Sequence, residues 1–399
     1  MPANFSPSLS MVNPEASDHT PKHYGLFTSG GGAPGLNGVI YGAVKEILRH
    51  GDIPHGIQNG WDGFLDQRPL IELASFSRAR LQGLLRKRSS ILGNCRTKIK
   101  TDEQREHVRK AIEAFQLDGV IGIGGDDTLG QLHQMWEEGI IKNANGVPKT
   151  IDNNVKGTER TFGFLTACHE TAKHVEDIRA DAKTLRRVAA VEIMGRDEGW
   201  IALEGGYQGG ADITLIPEFQ IEEAKLRAQI EKIYAEQGYV VIAIAEGYNA
   251  EAGERDDFGN VMKKDAGKKL LAWVKGFMNE GIKSKTEEVG TTLHLCGYKV
   301  RSCQPITTDA VFAAELGALA GKLTSEGKYG RLSALRNGLI VDVPLSEAGP
   351  GRKVTILHYD PEEMMKRDLP PNIVYSQLHC RGDLGRILAG LEDPIMPGA

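Results

Sequence analysis

This 399-residue chain predicts a doubly wound α/β architecture with mostly parallel sheets. Three observations predict it. Near-continuous apolar runs of strand length recur along the chain, helical stretches separate them, and glycine or polar clusters close them. Runs without polar alternation belong to strands buried on both faces, and strand–helix alternation makes such strands parallel. The length exceeds one ordinary core and suits two domains.

The elements follow in order. HYGLFTS (His23 to Ser29) is the first strand; it enters Gly30 to Gly32 and a helix over Leu36 to Leu48. DGVIGI is the next, followed by GGDDT (Gly124 to Thr128) and a helix through Trp136. Further strands are RVAAVEIM (Arg187 to Met194), ADITLIP (Ala211 to Pro217), YVVIAIAEG (Tyr239 to Gly247), TTLHLCGY (Thr291 to Tyr298) and NGLIVDVPL (Asn337 to Leu345). The patterns IEEAKLRAQIEKIYAEQ and KKLLAWVKGFMNEG supply helices between them.

Composition narrows the function. A hydrophobic content of 40% with 25% charged residues is that of a soluble globular chain. The formal net charge of −5 gives no general pull toward nucleic acid or an anionic membrane, so neither is expected as a partner. An anionic substrate must then be captured by locally placed Arg and Lys. The five cysteines (Cys95, Cys168, Cys296, Cys303 and Cys380) are odd in number and lack CxxC spacing. They read as reduced thiols of a cytoplasmic protein rather than a disulfide or metal framework. Residues 1–20 have no apolar signal-peptide core and read as a flexible tail. No run approaches the ~18 apolar residues of a membrane helix.

In doubly wound folds ligands bind beyond the carboxyl ends of the strands, and six clusters stand there. SGGGAPGLNG (Ser29 to Gly38) lets backbone N–H groups approach an anion at a helix start. In GGDDT one aspartate suits Mg2+, which takes few protein ligands, or caps the helix. VPKTIDNN (Val147 to Asn154) places Lys149 for phosphate, Asp152 for a proton and Thr150 for a hydrogen bond within four residues. MGRDEGW (Met194 to Trp200) presents Gly195 and the fork of Arg196; AEGY presents Glu246; GYKVRSCQP presents Tyr298 and Arg301. Singly, each is a turn or a solvated side chain. Together they hold glycine cradles, a metal carboxylate, a base, a glutamate and the arginines Arg96, Arg196 and Arg301, which suits phosphoryl transfer onto a hydroxyl of a phosphorylated sugar. The basic stretch LRKRSS (Leu85 to Ser90) reads as a solvated helix end, with an anion site as the alternative.

These motifs, in this order, resemble the phosphofructokinase family. SGGGAPGLNG resembles its SGGDAPGMN turn, ILGNCRT (Ile91 to Thr97) its LGSSR segment, PKTIDNN its PKTIDND and TFGFLTA (Thr161 to Ala167) its TFGFDTA. VEIMGRDEGW resembles VEVMGRHAGW, IAEG resembles VAEG, and Gly330 to Ala348 resembles the closing strand region. The resemblance implies two Rossmann-like domains with the active site in the cleft between them. It implies a phosphoryl-donor domain of 21–163 with about 301–350, and a sugar-phosphate domain of about 164–300 with 351–399. It also implies roles. Asp152 matches the base for the 1-hydroxyl of fructose 6-phosphate, and Asp126 the Mg2+-associated aspartate. Gly31, Arg96 and the loop of Gly125, Asp126, Asp127 and Thr128 match donor contacts. Thr150, Asn154, Met194, Gly195, Arg196, Glu246, Tyr298 and Arg301 match acceptor positions. Arg187 falls where the family has an arginine reaching a neighbouring subunit's sugar phosphate, implying a homodimer or homotetramer.

Family members that use pyrophosphate commonly read GGDD with Lys before TID; both features are present in Asp127 and Lys149. A carboxylate at Asp127 would stand near the path of a third phosphate and a nucleoside, and a like charge at short range in low dielectric excludes them. Lys149 would stabilise charge on the departing phosphate. The expectation is therefore a reversible, Mg2+-dependent, pyrophosphate-using 6-phosphofructokinase. The alternatives are ATP as donor, another acceptor such as sedoheptulose 7-phosphate, and a noncatalytic regulatory subunit. Departures from the family lie mainly on the acceptor side: Asn154 for the second Asp of TIDND, Leu165 for an Asp, and Thr292 where many short members carry Arg.

Overall fold

A computed structural model of the chain describes residues 19–249, 265–349 and 354. Its strands are β1 (His23–Thr28), β2 (Ile53–Gly56), β3 (Ile71–Glu72), β4 (Gly119–Gly124), β5 (Ala144–Pro148), β6 (Val188–Ile193), β7 (Ile213–Leu215), β8 (Val240–Ala245), β9 (Thr291–Leu295), β10 (Arg331–Arg336) and β11 (Leu339–Pro344). Its α-helices are α1 (Leu36–Arg49), α2 (Trp61–Leu65), α3 (Arg78–Gln82), α4 (Asp102–Ala114), α5 (Asp126–Glu137), α6 (Phe164–Leu185), α7 (Trp200–Gln208), α8 (Glu223–Gln237), α9 (Ala266–Met278), α10 (Lys299–Ser302) and α11 (Thr307–Ser325).

The strands form two sheets. One has seven strands in the order β11-β10-β5-β4-β1-β2-β3; the other has four in the order β7-β8-β6-β9. All pairings in the smaller sheet are parallel, and so are those of the larger one except its two edge pairs. The continuous apolar runs are the cause. β1, β4, β5, β6 and β8 are buried along essentially their whole length, so helices must cover both faces. A core of residues from both sheets, including Leu26, Ile121, Ala189 and Val241, joins them.

Two runs behave otherwise. NGLIVDVPL was expected as a doubly buried parallel strand, but β11 pairs antiparallel with β10 at the sheet edge and is mostly part-exposed. The reason is local: Asn337 (φ 53°) and Gly338 (φ 75°) are both left-handed, as a two-residue hairpin turn demands. TTLHLCGY yields the edge strand β9, with Leu293 and Leu295 exposed. Within ADITLIP only three residues form the strand. β2, β3, β5 and β10 have no counterpart among the expected strands.

Glycines set one close approach that matters for the site. α1 follows the SGGG turn, and α11 follows the segment that carries Arg301. A Cβ on Gly42 would collide with the Ala314 carbonyl, and one on Gly317 with the Val39 carbonyl. Their absence lets the two helix backbones touch. Buried Asp309 at the start of α11 also accepts hydrogen bonds from the Thr166 N–H (2.7 Å) and Oγ1 (2.6 Å) at the start of α6.

The expected flexible tail (1–20) and the C-terminal return (351–399) lie almost wholly outside the described residues.

Candidate active site

The six clusters arise from two adjacent strand triplets. β1, β4 and β5 are neighbours in the larger sheet, and β6, β8 and β9 in the smaller. Their carboxyl ends deliver Ser29–Gly32, Gly125–Thr128 and Lys149–Asn154 on one side, and Met194–Arg196, Glu246 and Tyr298–Arg301 on the other.

On the first side the backbone makes a cradle. Ser29 N–H bonds to Ile123 O (3.0 Å), Gly30 N–H to Cys95 O (2.7 Å) and Lys149 N–H to Gly124 O (2.8 Å). Lys149 is nearly fully buried, and its Nζ donates to Gly31 O at 2.7 Å. Burial, aided by the Arg301 charge, pulls its pKa down to about 8, against the opposing pull of Asp152 and Asp126. A cation held so close to neutrality is poised for a charged ligand.

GGDDT sits as expected at a helix start, with both aspartates in the first turn of α5 and Gly125 as the capping residue without a side-chain cap. The helix end favours the two carboxylates there. They diverge in environment. Asp126 acts electrostatically on both Lys149 and Asp152. Asp127 is exposed, and its Oδ2 lies 2.7 Å from Lys98 Nζ. Exclusion of a nucleotide by Asp127 requires a like charge in low dielectric. The structure corrects that premise, because solvent and Lys98 both weaken the Asp127 charge.

The turn after Lys149 is rigid. Asn153 takes a left-handed conformation (φ 52°), its Oδ1 accepts from Thr161 N–H (3.1 Å) and Thr161 Oγ1 donates to Thr150 O (2.8 Å). Thr150 Oγ1 in turn accepts from Asp152 N–H (3.0 Å). Burial raises the Asp152 pKa, while Arg301, Lys149 and Arg196 pull it down. Asp152 therefore lies where both triplets converge.

On the second side, Gly247 N–H bonds to Gly195 O (3.2 Å) and Glu246 N–H to Ile193 O (2.9 Å), which locks the ends of β6 and β8 together. Gly195 has φ 153°, and a Cβ there would press on Glu198 O. Burial raises the Glu246 pKa, with the nearby Asp152 charge adding to it. Arg196 Nε donates to Asp197 Oδ2 at 2.6 Å. Arg301 reaches the other triplet: its Nη1 lies 3.5 Å from where a Cβ on Gly31 would stand. Tyr298 is 72% exposed at the rim.

Arg187 is not brought into this cleft. It precedes β6, whereas Met194 to Arg196 follow it, and six strand residues span roughly 20 Å. It pairs with Asp181 at 3.7 Å.

Two residues were missed. Lys98 was not singled out. Glu198, 7% exposed, accepts from Asn154 Nδ2 at 3.3 Å. Its pKa rises to about 7 through burial and through the charges of Asp197 and Asp152, against the Asn154 hydrogen bond. Asn154 Oδ1 beside it is buried without a partner. A carboxylate thus lies within hydrogen-bond distance of Asn154, the position where the TIDND pattern has its own. The paired acids of MGRDEGW were the available signal, overshadowed by Arg196.

A lysine held against a glycine turn, with a carboxylate beside it and sugar-sized polar groups opposite, belongs to phosphoryl-transfer enzymes of the doubly wound class. The chain belongs to the phosphofructokinase family, whose model matches residues 23–324. It is 35% identical to a pyrophosphate–fructose 6-phosphate 1-phosphotransferase of Amycolatopsis methanolica, over 81% of this chain and 93% of that one. It is 36% identical to an ATP-dependent 6-phosphofructokinase of Chloroflexus aurantiacus, over 81% and 90%. A crystal structure of a pyrophosphate-dependent phosphofructokinase from Marinobacter aquaeolei shares the fold, with a TM-score of 0.72 at 20% identity over 94% of each chain.

Proposed function

We propose that the chain is a pyrophosphate-dependent 6-phosphofructokinase, converting fructose 6-phosphate and pyrophosphate reversibly into fructose 1,6-bisphosphate and phosphate. The observation that carries this is buried Lys149 on Gly31 O at 2.7 Å, inside the donor cradle. Asp152 takes the proton of the 1-hydroxyl, whose oxygen attacks the terminal phosphorus. The bridging P–O bond breaks, and Lys149 with Arg96 stabilises the departing phosphate. Arg196, Glu246, Tyr298 and Arg301, with Met194, Gly195, Thr150 and Asn154, hold the sugar phosphate.

Among the described residues no three His, Cys, Asp or Glu side chains gather to hold a metal ion. Asp126, facing the cleft charges, suits Mg2+ held otherwise by water and phosphate oxygens. Such an ion would neutralise charge on the transferring phosphoryl group.

Asp127 supports the donor assignment differently than first expected. Its carboxylate, paired with Lys98 at 2.7 Å, adds bulk beside the Gly125–Asp126 loop that a nucleoside would have to pass. The same ion pair favours ATP as the second reading, because it lowers the charge barrier. A coupled assay with fructose 6-phosphate decides: turnover with pyrophosphate should exceed that with ATP by about two orders of magnitude or more, a discrimination of about 3 kcal/mol. Preference for ATP would remove the proposal. The same assay with sedoheptulose 7-phosphate tests the acceptor, and any turnover by the purified chain rules out a regulatory subunit. We place the enzyme in the cytoplasm; the four described cysteines are free and buried, and no described helix is long and apolar enough to cross a membrane.

A further inference from the structure

We infer that a second phosphate-recognising site lies on the side of α10 away from the catalytic cleft, and that it takes a small phosphate-bearing anion rather than a nucleotide. A cavity of about 510 Å³ opens there between the loop after α3, α6, α10 and the start of α11. Four cations line it: Arg86, Arg88, Lys173 and Lys299. Glu170 is the one carboxylate in the lining, and Lys299 Nζ lies 2.8 Å from it. Arg86, Arg88 and Lys173 make no salt bridge among the described residues, and Lys173 acts only at longer range on the same Glu170. With His169 neutral, the wall carries three net positive charges. Cations from three separate segments held around one void repel one another, and a bound dianion relieves that repulsion.

The wall is pre-built. Asn37 of α1 fixes the arginine loop, donating from Nδ2 to Lys87 O (3.1 Å) and accepting at Oδ1 from Ile91 N–H (2.9 Å). Ser302, Gln304 and Thr307 add neutral hydrogen-bonding groups. Apart from His169 no aromatic ring lines the cavity, so nothing offers a nucleobase a stacking platform. The stretch LRKRSS is therefore more than a solvated helix end: the fold sets two of its arginines opposite Lys173 and Lys299. None of the residues assigned to the catalytic cleft lines this cavity. Tyr298 and Arg301, three apart, share one side of the α10 turn, while Lys299 and Ser302, also three apart, share another. Lys299 and Arg301 are two residues apart, so a ligand on Lys299 sits on the far side of the same short helix from Arg301, in a position to influence the cleft.

The test is calorimetric titration of inorganic phosphate into the chain without substrates. The wild type should bind phosphate in the cavity. The triple variant Arg86→Gln, Arg88→Gln, Lys173→Gln should weaken that binding at least tenfold, whereas Arg301→Gln should leave it in place. Ser302→Glu, which adds a carboxylate to the wall by one exposed substitution, should cause the same loss and decides the matter if the triple variant fails to fold. Unchanged titration in Ser302→Glu and the folded triple variant would overturn the inference. Phosphate is also the product of the proposed reaction, but the variants alter only the cavity wall, so the loss they read is distinct from any phosphate held in the donor cradle and stands whether or not the pyrophosphate assignment does.

Discussion

Lys149 combines near-complete burial with a pKa pulled down to about 8 by desolvation and by Arg301. Its work on a departing phosphate needs the cationic form. The ratio kcat/KM for the phosphoryl donor should therefore fall as pH rises through about 8, as one proton leaves the free enzyme. Lys149→Arg should move that limb upward, because guanidinium stays charged. The position of the limb, not its height, is the readout, and an unmoved limb would assign it to another group. Glu198 gives a stability test. Its folded pKa of about 7 exceeds its ordinary 4.5. The sign follows: below pH 4.5 both states are protonated and no cost arises, and above pH 7 both are ionised and the cost is full. Glu198→Gln should raise Tm at pH 8, by a gain on the order of 3 kcal/mol at most, and change it little at pH 5. An equal shift at both pH values would refute the assignment. Neither property was legible in the sequence, because both arise from neighbours distant in the chain.

At the scale of elements, the strand ends were the legible part. A continuous apolar run reports burial on both faces, and the polar residue after it reports the ligand side of a parallel sheet. That is why Gly31, Asp126, Lys149, Asp152, Arg196, Glu246 and Arg301 could be singled out before the fold was known. Edges were not legible in the same way. The sequence groups the β9 run, TTLHL, with the central strands although Thr291, Thr292 and His294 break its apolar character, and it has a neighbour on one side only. The Asn337-Gly338 turn was readable but was absorbed into the strand that follows it. The α1–α11 contact was also hidden, since a glycine in a helix does not announce what it faces. Gly317→Ala should lower stability by about 1–3 kcal/mol through overpacking, seen as a Tm drop of several degrees. It should also weaken activity, because the two helices hold the glycine turn against the Arg301 segment. A variant as stable as the wild type would show that the helices part without cost.

The whole molecule raises the question of what Arg187 is for. It stands at the opposite end of β6 from the cleft, and exposed leucines run from that end along the sheet edge: Leu185 at the close of α6, then Leu293 opposite Ala190 and Leu295 opposite Glu192 on the edge strand β9. An apolar edge strand left open invites pairing with another copy, and an isologous contact would carry each Arg187 toward its partner's cleft. We propose this homodimer as the working assembly, and it makes a quantitative prediction. Asp152→Ala removes the base from its own cleft, while Arg187→Ala removes a guanidinium from the neighbouring one. Each variant alone should fall far below wild-type turnover. In a hybrid dimer one cleft has lost both groups and the other has lost neither. Half of a randomly mixed population is hybrid, and each hybrid keeps one of its two sites, so co-expression of equal amounts should restore about a quarter of wild-type activity. If Arg187 served its own chain instead, every cleft would still lack one group, and the mixture would be no more active than the average of its parents.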